Sequence, residues 1–244
     1  MNSKIAIVTG GTGGLGRIVV SKFADAGMKV YVPTRDEKEF QKVFDNSLDA
    51  SLDGSNGFKL RLIFGLVCDA FNETQVKEFI GDVLVREGRI DYLVNTVGGF
   101  HPKKNIADMD TELLEGQLKM NFMSTWYFTR NVLTPMIKNS YGRIVSIAAK
   151  PALETTPGKF AYSVSKAGII NLMQTIAEEC KENNIRTAAI VPSIIDTPAN
   201  RQSIPDADPS HWVTPEEIAE TIMYLFSDSA KSLRGSLIKM YGSV

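Results

Sequence analysis

Apolar and polar positions along this chain change period repeatedly, and each change predicts a new element. Ile5-Ala6-Ile7-Val8 is an unbroken apolar run, the signature of a strand covered on both faces. A glycine cluster follows at once, and then Ile18, Val19, Val20, Phe23 and Ala24 fall at helical spacing with Gly27 placed to close the helix. The same switch recurs to the end of the chain. Strand-like runs lie near 29–32, 60–67, 90–95, 143–148, 186–191 and 236–240, with helical patterns near 37–48, 73–87, 110–139, 158–183 and 215–227. Repeated strand–helix units with right-handed crossovers predict one α/β domain over 1–244. It should be a Rossmann-type doubly wound parallel sheet of about seven strands with helices on both faces.

Two stretches break the alternation. The polar run from Ser47 to Gly57 reads as a surface loop. The stretch from Pro192 to Pro215 holds five prolines counting both ends, and is expected to be a long mobile segment whose residues 193–214 lie over the substrate as a lid.

Strand, glycine turn and helix in succession make an anion seat. Backbone N–H groups must approach the ligand where a Cβ would obstruct them, and the helix terminus adds about half a positive charge. The turn carrying Thr9, Gly10, Thr12, Gly14, Leu15 and Gly16 is therefore the candidate seat for a dinucleotide pyrophosphate. Further on, Tyr162 and Lys166 stand four residues apart on a predicted helix and share one face. An ammonium beside a phenol stabilises phenolate, and each unit by which the phenol pKa falls from about 10 needs about 1.4 kcal/mol of preference for the charged form. Tyr162 is then the expected proton donor of a reduction, with Lys166 lowering its pKa and able to hold the nicotinamide ribose.

Composition narrows the class without changing that picture. At 244 residues, 43% hydrophobic and a net charge of −1, the chain can bury a large core and gives no electrostatic reason to expect nucleic acid or membrane as a partner. Neither a signal peptide nor a spanning helix is supported, so the cytoplasm is the default expectation. Cys68 and Cys180 read as core thiols, and His101 and His211 have no partners at ligand spacing, so no metal site is expected.

These residues resemble the short-chain dehydrogenase/reductase family over essentially the whole length. Its glycine pattern is met by Thr9, Gly10, Gly14 and Gly16, and its Tyr-x-x-x-Lys by Tyr162 and Lys166. The resemblance implies that Asp69 contacts adenine, that Asn95, Val97 and Gly98 line the cofactor, and that Asn121 holds a water feeding the proton relay. It also implies that Pro192, Ile195 and Thr197 meet the nicotinamide carboxamide, although the family's Pro-Gly is Pro192-Ser193 here. At the end of the second strand Thr34 and Arg35 replace the acidic residue of NAD-preferring members, so NADPH is favoured over NAD as cofactor.

One departure bears on substrate. Thirteen positions before Tyr162, where the family usually has a serine for the substrate oxygen, stands Ala149. Losing such a donor costs an alkoxide-forming reaction about 3 kcal/mol, with Ser146, Thr155 and Thr156 the nearby hydroxyls. The stretches 149–158 and 196–208, with Gly98-Gly99-Phe100, resemble the dihydropteridine reductase branch, whose quinonoid substrate takes hydride on a conjugated ring. Ala149, Phe100 and Thr155 are accordingly the expected substrate contacts. A carbonyl or 3-oxoacyl-thioester reductase is the alternative enzyme, and a catalytically weak nucleotide-binding sensor the alternative of another class. Trp126, Tyr127, Phe128, Met173 and Ile176 exceed what one sheet face needs, and their helices resemble those through which this family usually forms dimers or tetramers, which implies a homodimer or homotetramer.

Overall fold

The computed structural model describes residues 3–44, 62–101 and 103–243, so the expected loop at 47–57 lies outside the described residues. Seven strands form a single parallel sheet in the order β3-β2-β1-β4-β5-β6-β7. They are β1 (Ile5–Thr9), β2 (Lys29–Thr34), β3 (Ile63–Val67), β4 (Tyr92–Asn95), β5 (Gly142–Ile147), β6 (Ile185–Pro192) and β7 (Ser236–Met240). The eight α-helices are α1 (Gly16–Asp25), α2 (Glu37–Phe44), α3 (Glu73–Glu87), α4 (Thr111–Gln117), α5 (Ser124–Lys138), α6 (Phe160–Glu179), α7 (Pro198–Ser203) and α8 (Pro215–Phe226) among the described residues. This is the doubly wound Rossmann-type architecture that the alternating periods predict.

The two-residue period of β1 explains the layers. Ile5 and Ile7 join one apolar cluster with Val76 and Phe79 of α3, Phe128 and Val132 of α5, and Ile169 and Met173 of α6. Ala6 and Val8 face the other way, against Val19, Val20 and Phe23 of α1 and Ile218 and Ile222 of α8. Phe128, Met173 and Ile176 are spent in this monomer core, each at most 3% exposed. Of the five residues that predicted an oligomer, only Trp126 and Tyr127 keep part of their surface outside. Cys68 and Cys180 are free thiols buried in the first cluster.

Because β1 pairs with β2 on one side and β4 on the other, the strand order reverses there, and a crevice opens beyond the carboxyl ends of β1 and β4. The expected single helix at 110–139 is divided. Between α4 and α5, Leu118–Met123 forms a π-helical turn that contains Asn121. The stretch after β6 is more ordered than a mobile loop. Its ends are joined by an Ile195–Val213 bridge, with Asp196 N–H on the Val213 carbonyl at 2.8 Å and Val213 N–H on that of Ile194 at 2.9 Å, and α7 lies between them. Prolines at helix starts organise the segment, with Pro198 opening α7 and Pro215 opening α8.

Candidate active site

At the end of β1 each glycine of the turn meets a different neighbour. Gly10 has φ +65, and a Cβ there would stand 2.8 Å from the Thr96 hydroxyl. A Cβ on Gly16 would lie 2.0 Å from the Gly10 carbonyl, so the start of α1 is pressed onto the turn. On Gly14 it would meet Thr197 at 2.9 Å, because the segment after β6 crosses directly over the glycines. Leu15 is buried and occupies the N-cap without a side-chain hydrogen bond, and the first turn of α1 has no acidic residue. The Arg17 and Ile18 N–H groups of that turn donate to the Gly13 and Leu15 carbonyls, at 3.0 and 3.1 Å, and no side chain caps the helix start, whereas Asn72 caps α3 and Thr214 caps α8. Thr12, half-buried, completes the turn.

Thr9 is buried under that turn and is bound to β4 through Thr96. Thr96 donates its hydroxyl to the Thr9 carbonyl at 2.7 Å and its N–H to the Thr9 hydroxyl at 3.2 Å. Asn95 points into the sheet. Its Nδ2 donates to Thr129 at 3.1 Å and to Ser146 at 3.0 Å, while its Oδ1 is buried without a partner. Val97 and Gly98 continue the wall, with the Val97 nitrogen 3.2 Å from where a Gly10 Cβ would be. Asn121, wholly buried, binds the main chain of Gly99 in both directions: Oδ1 accepts from its N–H at 3.0 Å and Nδ2 donates to its carbonyl at 3.1 Å. The Asn121 side-chain amide thus braces the Gly99 backbone beside the cleft.

Tyr162 and Lys166 share a face of α6 as the spacing requires, and Lys166 is 4% exposed. Its ammonium is not on the phenol oxygen. Nζ donates to the Ile147 carbonyl at the end of β5 at 2.8 Å and lies 6.0 Å from the Tyr162 ring centroid. Burial pushes the Tyr162 phenol up to about 12 and brings the Lys166 ammonium down to about 8. In the chain by itself both shifts come from burial alone; the lowering of the phenol pKa is expected from Lys166 together with an oxidised nicotinamide. A Gly98 Cβ would stand 2.9 Å from Nζ and 2.7 Å from Asn121 Oδ1, so a glycine is required where the lysine and the asparagine converge.

Comparison with known proteins places this geometry. The family model described as short chain dehydrogenase matches residues 4–208. This chain belongs to the short-chain dehydrogenase family. It is 29% identical to a 7alpha-hydroxysteroid dehydrogenase of Bacteroides fragilis, over 99% of this chain and 94% of that one. It is also 27% identical to the 3-oxoacyl-acyl-carrier-protein reductase FabG of Thermotoga maritima, covering 100% and 98%. The solved structure of gox2181 superposes with a TM-score of 0.88 at 26% identity, covering 99% of this chain and 95% of that one. ElxO, whose structure has NADP bound, shares the fold with a TM-score of 0.88 at 23% identity, over 99% of this chain and 98% of that one. As a short-chain dehydrogenase the chain is an NAD(P)-dependent oxidoreductase acting on a small molecule.

The residues expected to meet the adenosine lie at the ends of β2 and β3. Thr34 is buried and donates its hydroxyl to the Asp36 carbonyl at 2.9 Å, while the Asp36 carboxylate accepts from the Lys38 N–H at 2.8 Å. Arg35 is exposed and has no ion-pair partner among the described residues. After β3, Asp69 Oδ1 accepts from the Phe71 N–H at 3.0 Å, closing a turn below the crevice.

Around Tyr162 a cleft of about 260 Å³, open to solvent, is lined by Leu15, Thr96, Gly98, Phe100, Ala149, Tyr162, Lys166, Pro192, Ile195 and Asn200, among others. Thr197 reaches the glycine turn, and its Oγ1 accepts from the Asn200 N–H at 3.3 Å. Ala149 faces this cleft and is buried. The Phe100 ring stands edge-on to Tyr162 with centroids 5.2 Å apart. Thr155 is exposed and does not line the cleft, so among the described residues it supplies no replacement donor. Ser146 lies inside β5, bound by Asn95. Three groups at the cleft were not among the expected site residues: Thr96, which lies inside the Asn95–Gly98 motif, the Ile147 carbonyl and Lys159, which also lines the cleft. Lys159 left a trace in the sequence as a lysine at a helix start, where Ser, Thr, Asp or Asn is preferred.

Proposed function

We propose that this short-chain dehydrogenase is an NADPH-dependent reductase of a quinonoid pterin or a similar conjugated acceptor, with Tyr162 as proton donor. The observation that carries this reading is the polar lining of the cleft. Thr96 is bonded to Thr9, Ser193 donates to the Tyr241 carbonyl at 2.8 Å, and Asn200 donates to the Ile195 carbonyl at 2.8 Å. Beside Ala149, among the described residues that line the cleft, no hydroxyl other than that of Tyr162 remains to hold an oxyanion. An acceptor that spreads its charge over a conjugated, nitrogen-rich ring does not need that donor, whereas an isolated ketone does.

The cofactor's residues follow from the cradle. The glycine turn and the uncapped start of α1 hold the pyrophosphate, in a space that side chains at Gly10 and Gly14 would close. Asp69 bounds the adenine, and Asn95, Val97, Gly98, Pro192, Ile195 and Thr197 bound the nicotinamide. Arg35 favours NADPH: it is free to meet a 2′-phosphate, and Asp36 directs its carboxylate to the start of α2. When bound, the reduced nicotinamide supplies the hydride. The chain supplies the proton, because burial keeps Tyr162 protonated at neutral pH and thus ready to donate from its phenolic oxygen. Lys166 stays mostly charged there and, anchored to Ile147, can reach the ribose while keeping positive charge behind the phenol as it becomes phenolate. Asn121 fixes the 98–99 backbone against which the ring must lie. The segment 193–214 covers the substrate through Ile195, Asn200 and Ile204.

The identity to a 3-oxoacyl-acyl-carrier-protein reductase over the whole chain supports a second reading, reduction of a 3-oxoacyl thioester. Loss of NADPH absorbance with chemically generated quinonoid dihydropterin, an acetoacetyl thioester and a simple diketone separates the two. Faster turnover of the pterin supports the first reading; activity on the thioester alone would overturn it. Trp126 and Tyr127, left partly open on α5, support a homodimer or homotetramer, which sedimentation measures directly.

A further inference from the structure

Lys159 is a cation in the substrate cleft for which the reaction described above has no use. It lines the same wall as Tyr162, Ala149 and Phe100. Its Nζ lies 5.4 Å from the Phe100 ring centroid, and that ring in turn stands edge-on to Tyr162 at 5.2 Å. The other cleft lysine, Lys166, is committed to the Ile147 carbonyl. Lys159 has no carboxylate partner among the described residues; its neighbour in charge is another cation, Lys103.

Placing a lysine there is unfavourable for the chain alone. It occupies the N-cap of α6 without capping it, at the positive end of a helix whose first turn has no acidic residue. The loop around Lys103 and Lys104 is held against the same turn, with the Lys104 N–H on the Gly158 carbonyl at 3.0 Å. Partial burial and the charge of Lys103 hold the Lys159 ammonium below its ordinary range. An anion beside Phe100 would relieve the crowding of positive charge and the partial desolvation together.

We propose that Lys159 is a specificity residue that binds an anionic group of the substrate, a carboxylate or phosphate carried beyond the reacting centre on the Phe100 side of the cleft. This deepens the reductase reading and rests on the substrate entering beside Tyr162. The expected discrimination is about tenfold, the size of one charge-assisted hydrogen bond at a partly dry site.

The test is binding to the NADP complex of two matched pairs, pterin-6-carboxylate with 6-methylpterin and acetoacetate with ethyl acetoacetate. Wild type, Lys159→Gln and Lys159→Arg are compared. The proposal expects the acid of at least one pair to bind wild type about tenfold more tightly than its neutral partner. That preference should vanish in Lys159→Gln with the neutral ligand's affinity unchanged, persist in Lys159→Arg, and shrink as salt is raised. Equal binding of acid and neutral partner in both pairs, no binding of any of the four, or a preference that survives Lys159→Gln overturns it. Failure of the pterin reading looks different: only the acetoacetate pair binds, and its acid preference still depends on Lys159.

Discussion

Tyr162 and Lys166 show how far burial can oppose a pairing that the sequence makes obvious. Four residues on one helix face bring the two together, yet Nζ turns to the Ile147 carbonyl and both groups shift toward their neutral forms. The Lys166 shift is a statement about stability. Its folded pKa of about 8 lies below the unfolded 10.5, so the cost of burying the charge is fully present below pH 8 and is relieved as pH rises to 10.5. Lys166→Met removes this cost. The unfolding free energy of wild type relative to Lys166→Met should therefore climb by about 3 kcal/mol across that window in urea titrations; a flat difference would contradict the buried charge. Ala149→Ser tests the missing donor. A serine there faces the cleft and should raise kcat/KM for a simple diketone by about tenfold or more, while changing the pterin rate much less.

At the scale of elements, two local irregularities build the crevice. The glycine turn was legible because its requirement for small residues is written in the sequence: Gly10, Gly14 and Gly16 are spaced for it. What the spacing did not reveal is that Thr197, nearly two hundred positions later, is the neighbour that Gly14 accommodates. Gly14→Val should weaken NADPH binding by at least about tenfold and displace the segment after β6, an effect read by cofactor titration with limited proteolysis of residues 193–214 as a second readout. The π-turn was not legible, since the apolar spacing of 110–139 continues through it. Asn121 Nδ2 also donates to the Gln117 carbonyl at 3.2 Å, so a side chain competes for an acceptor of the helix. Asn121→Ala leaves Gly99 N–H and carbonyl without those partners. It should cost about 1–3 kcal/mol of stability and lower kcat more than cofactor affinity, because the wall it holds lies beside the reacting face.

Across the whole molecule, the strand order brings Leu15, Gly98, Phe100, Ala149, Tyr162, Lys166, Pro192 and Ile195, from far apart in the sequence, onto one cleft at the carboxyl ends of the strands. β1 contributes the phosphate turn, β4 the Asn95–Gly98 wall, β5 the Ile147 carbonyl and Ala149, and β6 the covering segment. This much was legible because a parallel sheet buried on both faces leaves long apolar runs, and their succession fixes the winding. Thr155 fell outside because the loop after β5 turns it to solvent, and the oligomer argument lost Phe128, Met173 and Ile176 to the monomer core. Neither outcome follows from periodicity, since both depend on how separate elements pack. The adenosine end gives a further prediction at this scale: Arg35→Asp should reverse the preference from NADPH to NADH in kcat/KM, since a carboxylate there repels a 2′-phosphate and accepts from a ribose hydroxyl. The measurement that bears most directly on the central claim is turnover of Tyr162→Phe on the best substrate found, set beside its affinity for NADPH. The account predicts a fall in kcat of about 10²–10⁴ with cofactor affinity almost unchanged. Turnover that survives the loss of the phenol would contradict it.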